Sequence, residues 1–294
     1  MEKAVYHLPG LFEFYDFYRK FLPIYREKTE YFYDWCQIGS LYGAPADCLW
    51  AGGRVSTGNA DPRQVLALTE EYGLSARLTF SNSLLRLEHL KDPKCNRLCA
   101  LFGAEPGNGV NVHSELLLDY LKEKYPNFYF VSSTTKVLTD FEDLAAETER
   151  PDFRYVVPDF RLNKVFDRLA GLKEKRKVEF LCNECCWPGC RERKACYENV
   201  SRKNLGEHCP DHICAAPEGE KGYRFSAAMK NPAFIGIRDI RETYLPMGFS
   251  QFKIEGRGLG SAMLLEFILY YLTKPEYQLS LREEMYLDSM LDLF

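Results

Sequence analysis

Residues 108–135 read NGVNVHSELLLDYLKEKYPNFYFVSSTT. The run NGVNVHS (108–114) is β-like, ELLLDYLKEKYP (115–126) carries apolar residues at helical spacing, and FYFVSSTT (128–135) is β-like again. A strand, an amphipathic helix and a second strand joined by short connections predict a βαβ unit with parallel strands. The alternation continues in both directions. Upstream, ADCLWAGG (46–53) reads as a strand and DPRQVLALTEEYG (61–73) as a helix with Pro62 in its first turn and Gly73 at its end. ARLTFSN (76–82) is a further strand, followed by the helical DPKCNRLCALFG (92–103). Downstream, DFEDLAAETER (140–150), FRYVVPD (153–159), NKVFDRLAGLKEK (163–175) and KVEFLCNE (177–184) repeat the pattern. AFIGI (233–237) with RDIRETYLP, and QFKIEGR (251–257) with GSAMLLEFILYYL, complete it.

Eight strands, each followed by a helix or an insertion, predict a closed (β/α)8 barrel, with an open doubly wound sheet as the alternative. No G-x-G-x-x-G follows the first strand, which argues against a dinucleotide fold. The expected organisation is one domain: an aromatic helical cap over 1–44, a barrel over 46–273, a cysteine-rich insertion over 185–229 after the sixth strand, and a C-terminal helix over 276–294.

With 294 residues, 46% of them hydrophobic, the chain has enough apolar mass for a large core. The net charge of −4 disfavours a nucleic-acid partner, although basic residues at 191–203 keep a local patch. The start MEKAVYHLPGLFEF lacks the pattern of a secretory signal, and AMLLEFILYYL (262–272) is too short to span a bilayer. A cytoplasmic protein is expected.

In a (β/α)8 barrel the active site lies at the C-terminal strand ends. Here those positions hold Arg54, Asn82, Asn111 or His113, Ser133, Asp159, Asn183 and Glu184, and Glu255 with Arg257. Polar residues begin loops in any protein, which accounts for about half of this set. The mixture of arginines, carboxylates and amides nonetheless suits a small polar or anionic ligand, with Asp159, Glu255 and Arg257 as candidate catalytic groups. Arg54, Asn82, Ser133 and Asn183 are the candidate substrate-binding groups. The turn EGRGLG (255–260) could offer backbone N–H groups to an anion, or be a tight turn with permissive glycines.

Seven of the eleven cysteines fall within residues 182–214, CNECCWPGCRERKACYENVSRKNLGEHCPDHIC. Clustered thiols in a reducing compartment bind metal or do redox chemistry more often than they form a disulfide framework. Cys182 reads as packed within its strand, and Cys36, Cys48, Cys95 and Cys99 as small core hydrophobes. The best set of four ligands is Cys186, Cys190, Cys196 and Cys214, with Cys209 competing for the last place. Four thiolates suit Zn²⁺ or an iron–sulfur cluster, and the spacing does not choose between them. His208 and His212 flank Cys209 and could join a mixed zinc site, but they read rather as loop residues. No G-x-S-x-G elbow, H-E-x-x-H helix or C-x3-C-x2-C triplet is present.

FKIEGR (252–257) together with the upstream FLCNECCWPGC (180–190) resembles the collagenase-like peptidase family, peptidase U-thirty-two. The resemblance spans most of residues 46–273. It implies a barrel-like domain and, beside the proteolysis in the family name, oxygen-independent hydroxylases that hold a [4Fe–4S] cluster on four cysteines. Cys186 and Cys190 match the cysteine motif, and Glu255, Gly256 and Arg257 match the KIEGR element. The remaining ligands do not map. The expected function is an iron–sulfur hydroxylase or related redox enzyme acting on a small or protein-borne substrate, with a redox partner or second subunit as a further expectation. The alternatives are a module stapled by zinc or a cluster, and a peptidase.

Overall fold

The computed structural model describes residues 2–53, 58–217, 219 and 222–291. Among them eight parallel strands form one sheet in the order β6-β5-β4-β3-β2-β1-β8-β7. They are β1 Ala4–Pro9, β2 Cys36–Gly43, β3 Ser75–Phe80, β4 Gly109–Val112, β5 Tyr129–Ser132, β6 Phe153–Val156, β7 Glu179–Leu181 and β8 Gln251–Lys253. A parallel bridge between Val156 and Val178 joins the two edges, so the sheet closes into a (β/α)8 barrel.

The helices start where side chains dictate. Asp61, Asp92, Ser114 and Asp140 each accept a backbone N–H in the first turn of α2 (Pro62–Glu71), α3 (Pro93–Phe102), α4 (Glu115–Lys124) and α5 (Phe141–Glu149). Such caps satisfy donors that the helix itself cannot pair.

Residues 1–44 depart from the expected helical cap. They supply β1, α1 (Tyr15–Glu27) and β2, the first βαβ unit of the barrel. Residues 46–53 are a loop rather than the first strand: Asp47 has φ +56°, a left-handed conformation incompatible with an extended run, and the apolar Trp50 is buried as a loop anchor. The segment 233–237 lies against β7 through Ile235 N–H to Cys182 O at 3.0 Å, but forms no ladder. The cysteine-rich segment therefore follows the seventh strand. α6 (Phe166–Leu169) precedes β7, the cysteine-rich segment contains α7 (Arg193–Asn204) and α8 (Phe225–Ala228), the short α9 (Ile237–Asp239) follows, and after β8 come α10 (Ser261–Tyr271) and α11 (Gln278–Leu291).

The strands are apolar outward and polar inward. Tyr6, Leu78, Phe180 and Phe252 are fully buried in the hydrophobic core, whereas the alternate residues His7, Arg77, Glu179 and Lys253 make one buried ionic network. Glu179 Oε2 lies 2.5 Å from Arg77 Nη1 and Oε1 lies 3.2 Å from Lys253 Nζ. His7 Nε2 lies 3.5 Å from Glu179 and 3.0 Å from Gln251 Oε1, while Nδ1 lies 2.8 Å from Ser40 Oγ. Burial opposes the charge on Glu179, but the Arg77 guanidinium and the Lys253 ammonium outweigh it and hold the carboxyl below its usual range. Burial, supported by Arg77, lowers His7 to about 3.

His7 is thus neutral in the fold and protonated more readily in the unfolded chain. Between its unfolded pKa and about 3 the unfolded state binds more protons, so stability contributed by His7 is present above this window and lost as pH falls through it. Urea unfolding of the wild type should weaken between pH 6.5 and 5 by up to about 1.4 kcal/mol per pH unit more than that of a His7→Gln variant. Parallel curves would show that His7 is not buried neutral.

Candidate functional site

β8 and its extension present Lys253, Glu255 and Arg257 on one face, because side chains alternate along extended chain. Ile254 and Phe252 point the other way into the core. All three polar residues line a cavity of about 250 Å³ at the C-terminal strand ends. β3 adds Thr79 and the residue after that strand, Ser81, β4 adds Asn111, the turn after β5 adds Ser133, Thr134 and Thr135, and Tyr42, Tyr197 and Tyr223 supply aromatic wall.

The cavity floor is the ionic network. Lys253 Nζ sits 3.8 Å from the centre of the Tyr42 ring, between it and Glu179. Burial first, then Arg77 and Arg257, pulls the Lys253 ammonium below its usual range, with Glu179 opposing. On the wall, Arg257 Nε donates to Glu13 Oε1 at 2.7 Å and Nη2 reaches Ala44 O at 3.3 Å. Asn111 Oδ1 and Thr134 Oγ1 are buried at the cavity without a hydrogen-bond partner among the described residues. A buried acceptor left unpaired is costly, and a ligand donor in the cavity would relieve it.

Of the residues singled out from sequence, Asn111, Ser133, Glu255 and Arg257 line the cavity. Asn183 acts from behind: its Oδ1 accepts Glu255 N–H at 2.7 Å and its Nδ2 donates to Glu255 O at 3.0 Å, clamping β8 to the end of β7. Asn82 donates to Leu49 O and Ser201 O, both at 3.1 Å, and so ties β3 to the 46–53 loop and to α7. Arg54 lies outside the described residues. Asp159 does not line the cavity; it is fully buried, 3.0 Å from Arg161 Nη1 and 3.5 Å from Arg193 Nε.

That ion cluster carries the start of the cysteine-rich segment. Arg193 Nη2 lies 2.5 Å from Glu184 Oε2, and Glu184 Oε1 accepts the N–H groups of both Cys185 and Cys186 at 3.0 Å. Arg161 donates to the carbonyls of Pro188 and Cys190, and Cys190 N–H closes a turn on Trp187 O at 2.9 Å. Cys185 forms part of the cavity wall.

Cys186, Cys190, Cys196 and Cys209 are partly exposed, while Cys185 and Cys214 are exposed. Cys36, Cys48, Cys95, Cys99 and Cys182 are buried. Among the described residues no three His, Cys, Asp or Glu side chains are gathered closely enough to hold a metal ion. The thiols suit a soft metal by their chemistry, but among the described residues they are not assembled into a metal site. No helix among the described residues is long and apolar enough to cross a membrane.

The residues not reached from the sequence are Lys253, Thr79, Ser81 and the His7–Arg77–Glu179 network. Their signal is polar residues at every second position of otherwise apolar strands, as in SARLTF and QFK.

The fold is shared with a solved structure titled "The Structure of the U32 Peptidase Mk0906", at TM-score 0.56 and 14% identity over 88% of this chain and 94% of that one. No family model matches the sequence. No curated protein matches it either.

Asp159→Ala should cost about 3–5 kcal/mol in urea unfolding, because it removes one partner from a buried ion cluster. Ser133→Ala at the cavity wall should cost about 1 kcal/mol, the worth of its cap to Thr135 N–H. Equal small losses would place Asp159 outside the framework.

Proposed function

We propose that this barrel is a redox enzyme acting on a small polar or anionic substrate in the strand-end cavity, with an iron–sulfur cluster on the neighbouring cysteine-rich segment. The observation that carries this reading is Cys185 in the same cavity wall as Glu255 and Arg257. The thiol-rich segment and the substrate space therefore adjoin. Cys186, Cys190, Cys196 and Cys214 would hold the cluster, which when bound supplies one-electron transfer. Zn²⁺ at the same thiols would make the segment a structural staple instead.

The chain's own contribution is binding and orientation. Lys253 and Arg257 attract an anionic group to the floor and wall, each held in place by a buried carboxylate, Glu179 and Glu13. Asn111 Oδ1 accepts a donor from the substrate. Glu255, fixed through its backbone by Asn183, presents a carboxylate that can hold a proton at the substrate. The tyrosine walls exclude water.

Hydrolysis is the second reading, from the printed title of the fold relative and one specific contact chain. Ser133 Oγ lies 3.0 Å from Thr135 Oγ1, which lies 2.9 Å from His113 Nδ1. Burial, then Lys136 and Lys194, lowers His113 to about 4, which keeps the imidazole neutral.

Anaerobic purification with iron, sulfide and zinc analysis separates these readings. The redox reading expects about four irons per chain and a broad visible absorbance, lost in Cys186→Ala/Cys190→Ala. One zinc in a colourless protein would support the staple. Neither metal, with a fluorophosphonate adduct on Ser133, would move the function to hydrolysis.

A further inference from the structure

Cys48 and Cys95 form a pair that the cavity chemistry does not use. Cys48 sits in the loop between β2 and α2, Cys95 in the first turn of α3, and their Sγ atoms are 3.4 Å apart. They are 3% and 0% exposed. A disulfide requires the sulfurs to close to about 2.05 Å, a movement of a little over about 1 Å between side chains that already face each other. Cys36 and Cys182 differ: their thiols point at the carbonyls of Tyr271 and Phe180, at 3.7 and 3.6 Å.

The surroundings also divide the two thiols by role. The Cys95 thiol hydrogen-bonded to Cys48 holds Cys48 below its usual range against the opposing effect of burial, with help from the Trp50 and Ala51 N–H groups and Lys94. The same contact and burial push Cys95 up. Cys48 is therefore the more readily deprotonated of the two and the first nucleophile, and Cys95 is the resolving thiol.

We propose that Cys48 and Cys95 are an oxidation site, converted by a small peroxide into a disulfide that fastens the 46–53 loop to α3. The Cys48 thiolate attacks one peroxide oxygen, the O–O bond breaks, and hydroxide leaves with Cys48 as the sulfenic acid. Cys95 then loses its proton and attacks the Cys48 sulfur, the S–O bond breaks, and water leaves. Two thiols are oxidised and one hydrogen peroxide is reduced to two waters.

The loop being fastened forms part of the cavity surround. Gly53 lines the cavity, and a Cβ on Gly52 would collide with the Ser81 carbonyl, so the loop backbone runs directly on the end of β3. Trp50 O accepts Asn82 N–H at 3.0 Å and Ala51 O accepts Asn204 Nδ2 of α7 at 2.5 Å. Oxidation of the pair stiffens this wall.

The test treats the folded, full-length protein with hydrogen peroxide, alkylates remaining thiols after denaturation and maps the peptides by mass spectrometry. The Cys48–Cys95 cross-linked peptide should be the dominant form of both residues, and the melting temperature should rise by about 4 °C or more. The rise should be absent in Cys95→Ala. Recovery of Cys48 and Cys95 as alkylated thiols from a sample in which exposed Cys185 is oxidised would overturn the proposal. So would Cys48 sulfinic acid beside free Cys95, or the same melting rise in Cys95→Ala.

Discussion

The carboxylate of Glu179 sits fully buried at the start of β7, inside the barrel. A lone carboxylate in such a place costs several kcal/mol, which makes its partners obligatory. Arg77 comes from β3 and Lys253 from β8, so one anion fixes the relative positions of three strands. His7 on β1 and Gln251 on β8 extend the network by neutral hydrogen bonds. A barrel filled by leucine and valine would need no such agreement between strands. This one holds together only if the polar faces of β1, β3, β7 and β8 all point inward at the same level.

The cavity follows from that arrangement. Because Lys253 is drawn to Glu179, the next inward positions on the same strand, Glu255 and Arg257, stand above it and line the space beyond. Arg257 is held by Glu13, just after β1, and Glu255 by the Asn183 clamp at the end of β7. The cysteine-rich segment leaves β7 directly after that clamp. Its first turn rests on a second buried ion cluster, Glu184, Arg193, Asp159 and Arg161. One ionic framework therefore lies below the cavity, and a second lies under the thiols.

The barrel was legible in the sequence because its middle is regular. The stretch 108–135 shows strand, capped helix and strand with short connections, and the structure places β4, α4 and β5 there. The first βαβ unit was not legible. CQIGSLYG and AVYHLP carry glycine, proline or histidine in mainly apolar surroundings, so neither alternates cleanly, and the aromatic residues of α1 dominate the pattern. ADCLWAGG has strand composition, yet its burial is that of a loop anchored by Trp50 on His89 O at 2.8 Å. Glu255, Arg257 and Ser133 could be named because they follow strands. Lys253 and Arg77 lie within strands, where a charge is visible as chemistry only after its partner on a distant strand is known. Asp159 looked catalytic for the converse reason: a carboxylate at a strand end gives no sign in sequence that two arginines already hold it.

The barrel depends on energetic coupling between Glu179 and Arg77. A double-mutant cycle of Arg77→Met and Glu179→Leu, followed by urea unfolding, measures this directly. Each single change should cost about 3 kcal/mol or more, with a coupling of about 2 kcal/mol or more because the second change removes a charge the first left unpaired. Costs that add to within about 0.5 kcal/mol would show instead that the two residues do not depend on each other.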